Sequence, residues 1–177
     1  MSILKVARMG HPVLRRRARF VDTSGLKHPA IQKLIDDMIE TMYEYHGVGL
    51  AAPQVHEGVR VFVAMLDDEP DETSEATVVI NPEIVANGPE SEEGWEGCLS
   101  IPDIRGIVPR HTDITMKALD RTGKGVELRL KGYPARVAQH ETDHLDGVLF
   151  FDRMESMQTL TFLEEFSRYW TKDDDRP

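Results

Sequence analysis

Residues 139–147 read QHETDHLDG, with two histidines four apart and a glutamate beside the first. On a helix, four residues turn the chain through little more than one full circle, so His140 and His144 share a face and can grip one cation. Glu141 then sits about a quarter turn away, close to any water that the cation holds. A cation with an open position makes that water a nucleophile at neutral pH, so the spacing points to hydrolysis. The flanks read as helix punctuation, with Pro134 just inside the start and Gly147 at the end. The apolar stripe is predicted to run through Pro134, Val137, Ala138, Glu141, His144, Leu145 and Val148, leaving Arg136, Gln139, Asp143 and Asp146 on the wet face. Glu141 and His144 point inward on this reading, and a buried carboxylate and imidazole need partners. The competing reading, two structural histidines on an ordinary helix, supplies none.

Two histidines leave a catalytic cation short of its usual third protein ligand. The metzincin pattern places a histidine where this chain has Phe150, which closes that route. A thermolysin-like arrangement takes a glutamate about twenty residues downstream, and Glu164 stands at that separation. The remaining candidate is Cys98, the only cysteine, within EGCLS from Glu96 to Ser100. A lone cysteine is often just a small buried hydrophobe, but Gly97 beside it lets a backbone approach closely where Cys98 projects. A thiolate next to a divalent cation ionises readily, which favours Cys98 over Glu164. A further segment, GVGLAAPQ from Gly47 to Gln54, follows a predicted helix and suits a backbone running close to a ligand with one amide aimed in. A helix C-cap followed by a buried strand would account for most of it.

Taken together the three segments resemble the peptide deformylases, whose motifs are GxGLAAxQ, EGCxS and QHExDHLxG. All three stand here in order, and the likeness extends through ILKVARMGHPVLR, IPDIRGIVPR and GVLFFDRM, covering roughly residues 3 to 154. The resemblance implies a hydrolase that removes the N-formyl group from N-formylmethionyl nascent peptides. It implies Cys98, His140 and His144 as metal ligands and Glu141 as general acid/base. The Leu99 backbone N–H and the Gln54 side chain would meet the oxyanion. It places Gly49 beside the metal, where only a small acyl group fits. Val48, Glu96, Tyr133 and Val137 are pocket candidates for the methionine side chain, and Arg105 a contact for the peptide downstream. The ligand set suits zinc, whereas the resemblance implies ferrous iron natively, with nickel or cobalt as active substitutes. A thermolysin-like metallopeptidase using Glu164, or a metal-binding relative without catalysis, are the alternatives.

The remaining composition bounds this reading. The 177 residues, 40% of them hydrophobic, suit one domain over 1–177 with a substantial core. One cysteine excludes an internal disulfide and fits a reducing compartment, no run is long and apolar enough to span a membrane, and a cytoplasmic enzyme without a removable leader is expected. The net charge of −10 and the ending TKDDDRP oppose contact with nucleic acid or stable ribosome docking, leaving at most a transient ribosome encounter. The apolar side of a last helix leaves monomer and homodimer both open.

Helical spacing predicts a core helix over Pro29–Tyr45 and a C-terminal helix over about 157–170, placing Leu160, Leu163, Phe166 and Trp170 on one side before an acidic tail at 171–177. Strands are predicted at 59–66, 78–85, 107–111, 114–118 and 126–130, and Asp67–Glu75 as a solvated loop. The class is α+β, with short antiparallel sheets packed around the HExxH helix. His11, His28, His46, His56 and His111 are expected to make local or surface contacts and not to bind metal.

Overall fold

The computed structural model describes residues 2–67 and 74–171; most of the predicted acidic loop and the tail at 172–177 lie outside them. The first helix, α1 (Pro29–Glu44), starts where the sequence places it. Pro29 occupies the first turn, and His28 Nδ1 accepts the Ala30 N–H at 3.2 Å as an N-cap. Ile35, Met38 and Met42 are fully buried along one face. Asp37 and Thr41 are buried on the same helix because the N-terminal segment crosses them. Asp37 accepts the Ser2 N–H at 2.9 Å and pairs with Lys33, while Thr41 Oγ1 accepts the Leu4 N–H at 2.8 Å.

Five strands form an antiparallel sheet in the order β1 (Gly49–Ala51), β2 (Val61–Ala64), β3 (Thr77–Ala86), β6 (Asp113–Leu119) and β7 (Gly125–Lys131). A second antiparallel sheet joins β4 (Ser91–Cys98), β5 (Ile101–His111) and β8 (Thr161–Phe162). The other two helices are α2 (Gly132–Leu145) and α3 (Leu163–Tyr169). The larger sheet carries α1 on one face and α2 on the other: Val61 and Val63 pack with Met38 and Met42, while Phe62 packs with Val137, Ala138 and Leu145. All four residues of β2 are therefore buried, which is why VFVA is a continuous apolar run. A third cluster, with Leu14, Ile101, Val108, Leu149 and Phe150, packs around Cys98. The helix α2 touches strands of both sheets.

The five predicted strands correspond to β2, β3, the second half of β5, β6 and β7. The sequence reading missed β4, because SEEGWEGC carries three glutamates and two glycines; its order comes from pairing with β5 along nearly its whole length. The C-terminal prediction needs correction. Residues 157–159 form a 3-10 turn capped by the Ser156 side chain, Thr161 and Phe162 pair with Arg105 and Ile104, and helix begins only at Leu163. Backbone pairing to the β5 edge takes the place of the first helical turns. Asp143 also departs from the predicted wet face. It is 7% exposed because Arg110 and Arg153 both reach it, at 2.6 and 2.7 Å.

Beyond the end of α2, Gly147 has φ +75°, and a Cβ there would stand 2.8 Å from the Arg15 backbone. Strain and steric overlap act together at this position. Gly147→Ala is expected to lower unfolding stability by about 1–3 kcal/mol, read as a shift in the denaturant midpoint. An unchanged midpoint would show that the segment yields freely.

Candidate metal centre

The local fold around Cys98 begins with a mismatch in the β4–β5 hairpin. Glu96 pairs with Gly106, yet Cys98 pairs with Ile101, so β5 contributes three more residues than β4 between the two pairs. The resulting bulge aims Cys98 towards α2 and leaves Leu99 and Ser100 as the turn. On α2, His140, Glu141 and His144 are all buried. One ligand atom from each of Cys98, His140 and His144 lies within 4.8 Å of the others, and Cys98 Sγ stands 3.2 Å from His144 Nε2. Ligands around a tetrahedral cation with bonds of about 2.0–2.3 Å stand some 3.3–3.8 Å apart, so the cluster is near the size of a coordination shell.

The donor set fits a divalent cation in three further ways. His140 Nδ1 lies 2.8 Å from Glu96 Oε2, which directs the other ring nitrogen to the cluster in a carboxylate–histidine arrangement. The Cys98 thiol is buried, which opposes ionisation, but His144 and His140 outweigh this and bring its pKa well below that of a free thiol. Finally, Glu141 Oε2 is buried without a hydrogen-bond partner among the described residues, a costly arrangement that water on a bound cation would relieve. Burial pushes the Glu141 carboxyl up to about 6, against the pull of the two imidazoles. Such a group is placed to take and return a proton near neutrality.

Gln54 completes the arrangement. Its Oε1 accepts the Ala51 N–H at 2.8 Å, so the amide is held with Nε2 pointing 3.4 Å from Cys98 Sγ and 3.3 Å from Ser100 Oγ. Gly49 lies against Glu141: a Cβ there would overlap the carboxylate, with the carboxyl carbon only 2.7 Å away. The cleft over the cluster has a volume of about 490 Å³. Gly49, Gln54, Cys98, Leu99, His140 and Glu141 line it, as do Val48, Glu96, Arg105, Tyr133 and Val137. His144 does not, being buried beneath at 1% exposure.

Glu96 has a role in the structure that the sequence reading did not assign. It borders the cleft, but its carboxylate is committed to His140, to both Arg110 Nε and Nη2, and to Arg136 Nη1 at 3.0 Å. Burial would raise its pKa, yet His140 and Arg110 hold it down at about 2. Arg110, Arg136 and Asp143 thus belong to the site's support, and the sequence reading missed all three; Arg110 carried no signal beyond its place at the end of IPDIRGIVPR. Glu164, the rival ligand, lies exposed on α3 and pairs with Arg168 at 2.9 Å, apart from the cluster. The other histidines make no ligand group among the described residues: His11 and His28 accept backbone N–H bonds, and His11 meets His56 edge to face.

The family model described as Polypeptide deformylase matches residues 3–160. Peptide deformylase 2 of a Nostoc species is 43% identical, over 97% of each chain. The crystal structure of peptide deformylase from Thermotoga maritima superposes with a TM-score of 0.80 at 44% identity, covering 88% of this chain and all of that one. A Met-Ala-Ser-bound class I type b peptide deformylase from Acinetobacter baumannii gives a TM-score of 0.79 at 41% identity, covering 87% of this chain and all of that one. With that match along most of its length, and with its three motifs gathered at one cleft, the chain belongs to the polypeptide deformylase family.

Proposed function

We propose that this chain is a metal-dependent peptide deformylase of the cytoplasm, one catalytic domain over 1–177, that hydrolyses the N-formyl group of N-formylmethionyl nascent peptides and releases formate. The observation that carries the reading is the buried convergence of Cys98, His140 and His144, with Glu141 and the Gln54 amide beside them. A divalent cation held there by those three residues supplies Lewis-acid chemistry, acidifying water and polarising the formyl carbonyl. Ferrous iron is the native ion proposed, on family resemblance, with nickel, cobalt or zinc able to occupy a site of one thiolate and two imidazoles.

The protein's own residues carry the remaining steps. Glu141 takes the proton of the attacking water and hands it to the departing amine. Gln54 Nε2 and the Leu99 amide, at the hairpin turn, donate to the oxygen that gains charge as water adds to the formyl carbon. Gly49 lets β1 run directly against Glu141, where a Cβ would overlap the carboxylate, and so keeps the cleft narrow beside the group that serves an acyl carbon bearing only hydrogen. Val48, Tyr133 and Val137 offer apolar surface to the methionine side chain, and Arg105 stands where the peptide continues. The Met-Ala-Ser bound to the Acinetobacter relative supports a methionyl peptide as the class of molecule that the cleft takes. No helix of the described residues is long and apolar enough to cross a membrane. The encounter with the ribosome is proposed as transient, given the acidic balance of the chain, and the enzyme works as monomer or homodimer.

Anaerobic assay of the iron-loaded protein is expected to release formate from formyl-Met-Ala-Ser and to leave acetyl-Met-Ala-Ser and internal peptide bonds intact; internal cleavage would favour a protease. Gln54→Ala should lower kcat on the order of 10²-fold, and Glu141→Gln should nearly abolish turnover. Gly49→Ala should displace the Glu141 carboxylate and cost about 10²-fold in activity while bound metal is kept. Cys98→Ser should lose metal by elemental analysis and Glu164→Gln should retain it; the reverse result would move the third ligand to Glu164.

A further inference from the structure

The C-terminal segment has a role that the metal chemistry does not account for. It begins with two anchors on β5: Ile107 N–H donates to Thr159 Oγ1 at 3.2 Å, and β8 pairs through Thr161 with Arg105 and through Phe162 with Ile104. The helix α3 then packs against β5, and the Trp95 ring of β4 reaches it: Phe166 meets Trp95 edge to face at 4.9 Å and Trp170 meets the same ring at 5.4 Å. Trp95 lines the cleft over the metal cluster, and so does Leu163, the first residue of α3. Leu163, Phe166 and Trp170 stand on one side of the helix, where Leu163 lines the cleft, Phe166 and Trp170 meet Trp95, and Trp170 keeps 48% of its surface exposed. This segment lies past residue 160, where the match to the family model ends.

The formyl group has to reach the cluster at Cys98 and Glu141, so the residues that follow it leave the cleft along its outer lining. That lining includes Leu163 and Trp95, both apolar and half-buried, backed by Phe166. We propose that the segment Thr161–Trp170 is the outer wall of the substrate cleft and that Leu163, which lines that cleft together with Trp95, selects for an apolar side chain at the third residue of the formyl peptide. The proposal rests on the deformylase reading. Leu163 touches no reacting atom on this account and contributes uniform binding, which shows in KM and not in kcat.

The test compares formyl-Met-Ala, formyl-Met-Ala-Ser and formyl-Met-Ala-Leu with the metal-loaded, full-length protein and its Leu163→Ala, Leu163→Met and Met157→Ala variants. Met157 is exposed just ahead of that segment and does not line the cleft. The intact protein is expected to favour the leucine tripeptide over the serine tripeptide. Leu163→Ala should reduce that preference about 5–10-fold through KM, as loss of apolar pocket surface does, and leave kcat/KM for formyl-Met-Ala within about twofold. Leu163→Met should restore the preference, and Met157→Ala should behave as the intact protein. Bound metal and thermal midpoint, measured alongside, separate a lost wall from a lost fold: if Leu163→Ala unfolds, Leu163→Gln, which keeps a side chain of similar volume but puts a polar group at the cleft, carries the test and should likewise lose the leucine preference. Formate release with equal losses on all three peptides, or with no change in preference, overturns the wall alone. An intact protein that releases no formate from any of them overturns the deformylase reading and the wall with it.

Discussion

The Glu96 carboxylate is the point through which the two halves of the site are held in register. It sits on β4, two residues before Cys98, and accepts from Arg110 on β5, from Arg136 on α2 and from His140 on α2. Arg110 passes the connection on to Asp143, which Arg153 also reaches. The hairpin that supplies the thiol and the helix that supplies both imidazoles are thus tied by one buried chain of charges. Taking these groups out of water is expensive, and such chains gain their place by fixing geometry more than by adding stability. Here the geometry fixed is the ring plane of His140 and its distance from Cys98. Each carboxylate in it faces guanidinium groups, so neither Glu96 nor Asp143 is left unpaired.

That tie explains why several residues which read as surface are buried. Asp143 has a polar neighbourhood in sequence and falls on the outer face of a helical projection, yet it is closed in because the β5 arginine and the arginine after α2 converge on it. The same holds for β4, whose composition argues against a strand until its backbone is paired with β5 and its Glu96 is neutralised. The functional groups share a second constraint, closeness. Gly49 brings β1 against Glu141 with no room for a side chain, and Ala51 fixes the Gln54 amide through a single backbone bond. Rigid backbone on one side and a buried helix on the other leave the reacting groups little freedom, the condition under which preorganised donors act.

The segment after residue 156 shows how edge pairing overrides local preference. Its apolar spacing continues a helical pattern back to Leu160, but the exposed edge of β5 offers backbone partners that a helix would leave unmet. Strand pairing at Thr161 and Phe162 shifts the start of α3, and with that start the placement of Leu163 at the cleft.

What the sequence determined by itself was the local chemistry: four-residue spacing put two imidazoles on one helical face, proline and glycine bounded that helix, and runs bounded by glycine, proline or aspartate marked most of the larger sheet. These are consequences of short-range geometry, which repeats wherever the pattern occurs. The tertiary structure decided the rest: that Cys98 and not Glu164 joins the histidines, that the Glu96 carboxylate meets His140, that Asp143 is buried, and that the last helix borders the cleft. Each depends on groups far apart in the chain meeting across packed elements, where burial and the pairing of charge, which no local pattern encodes, select among partners that the sequence leaves equally open.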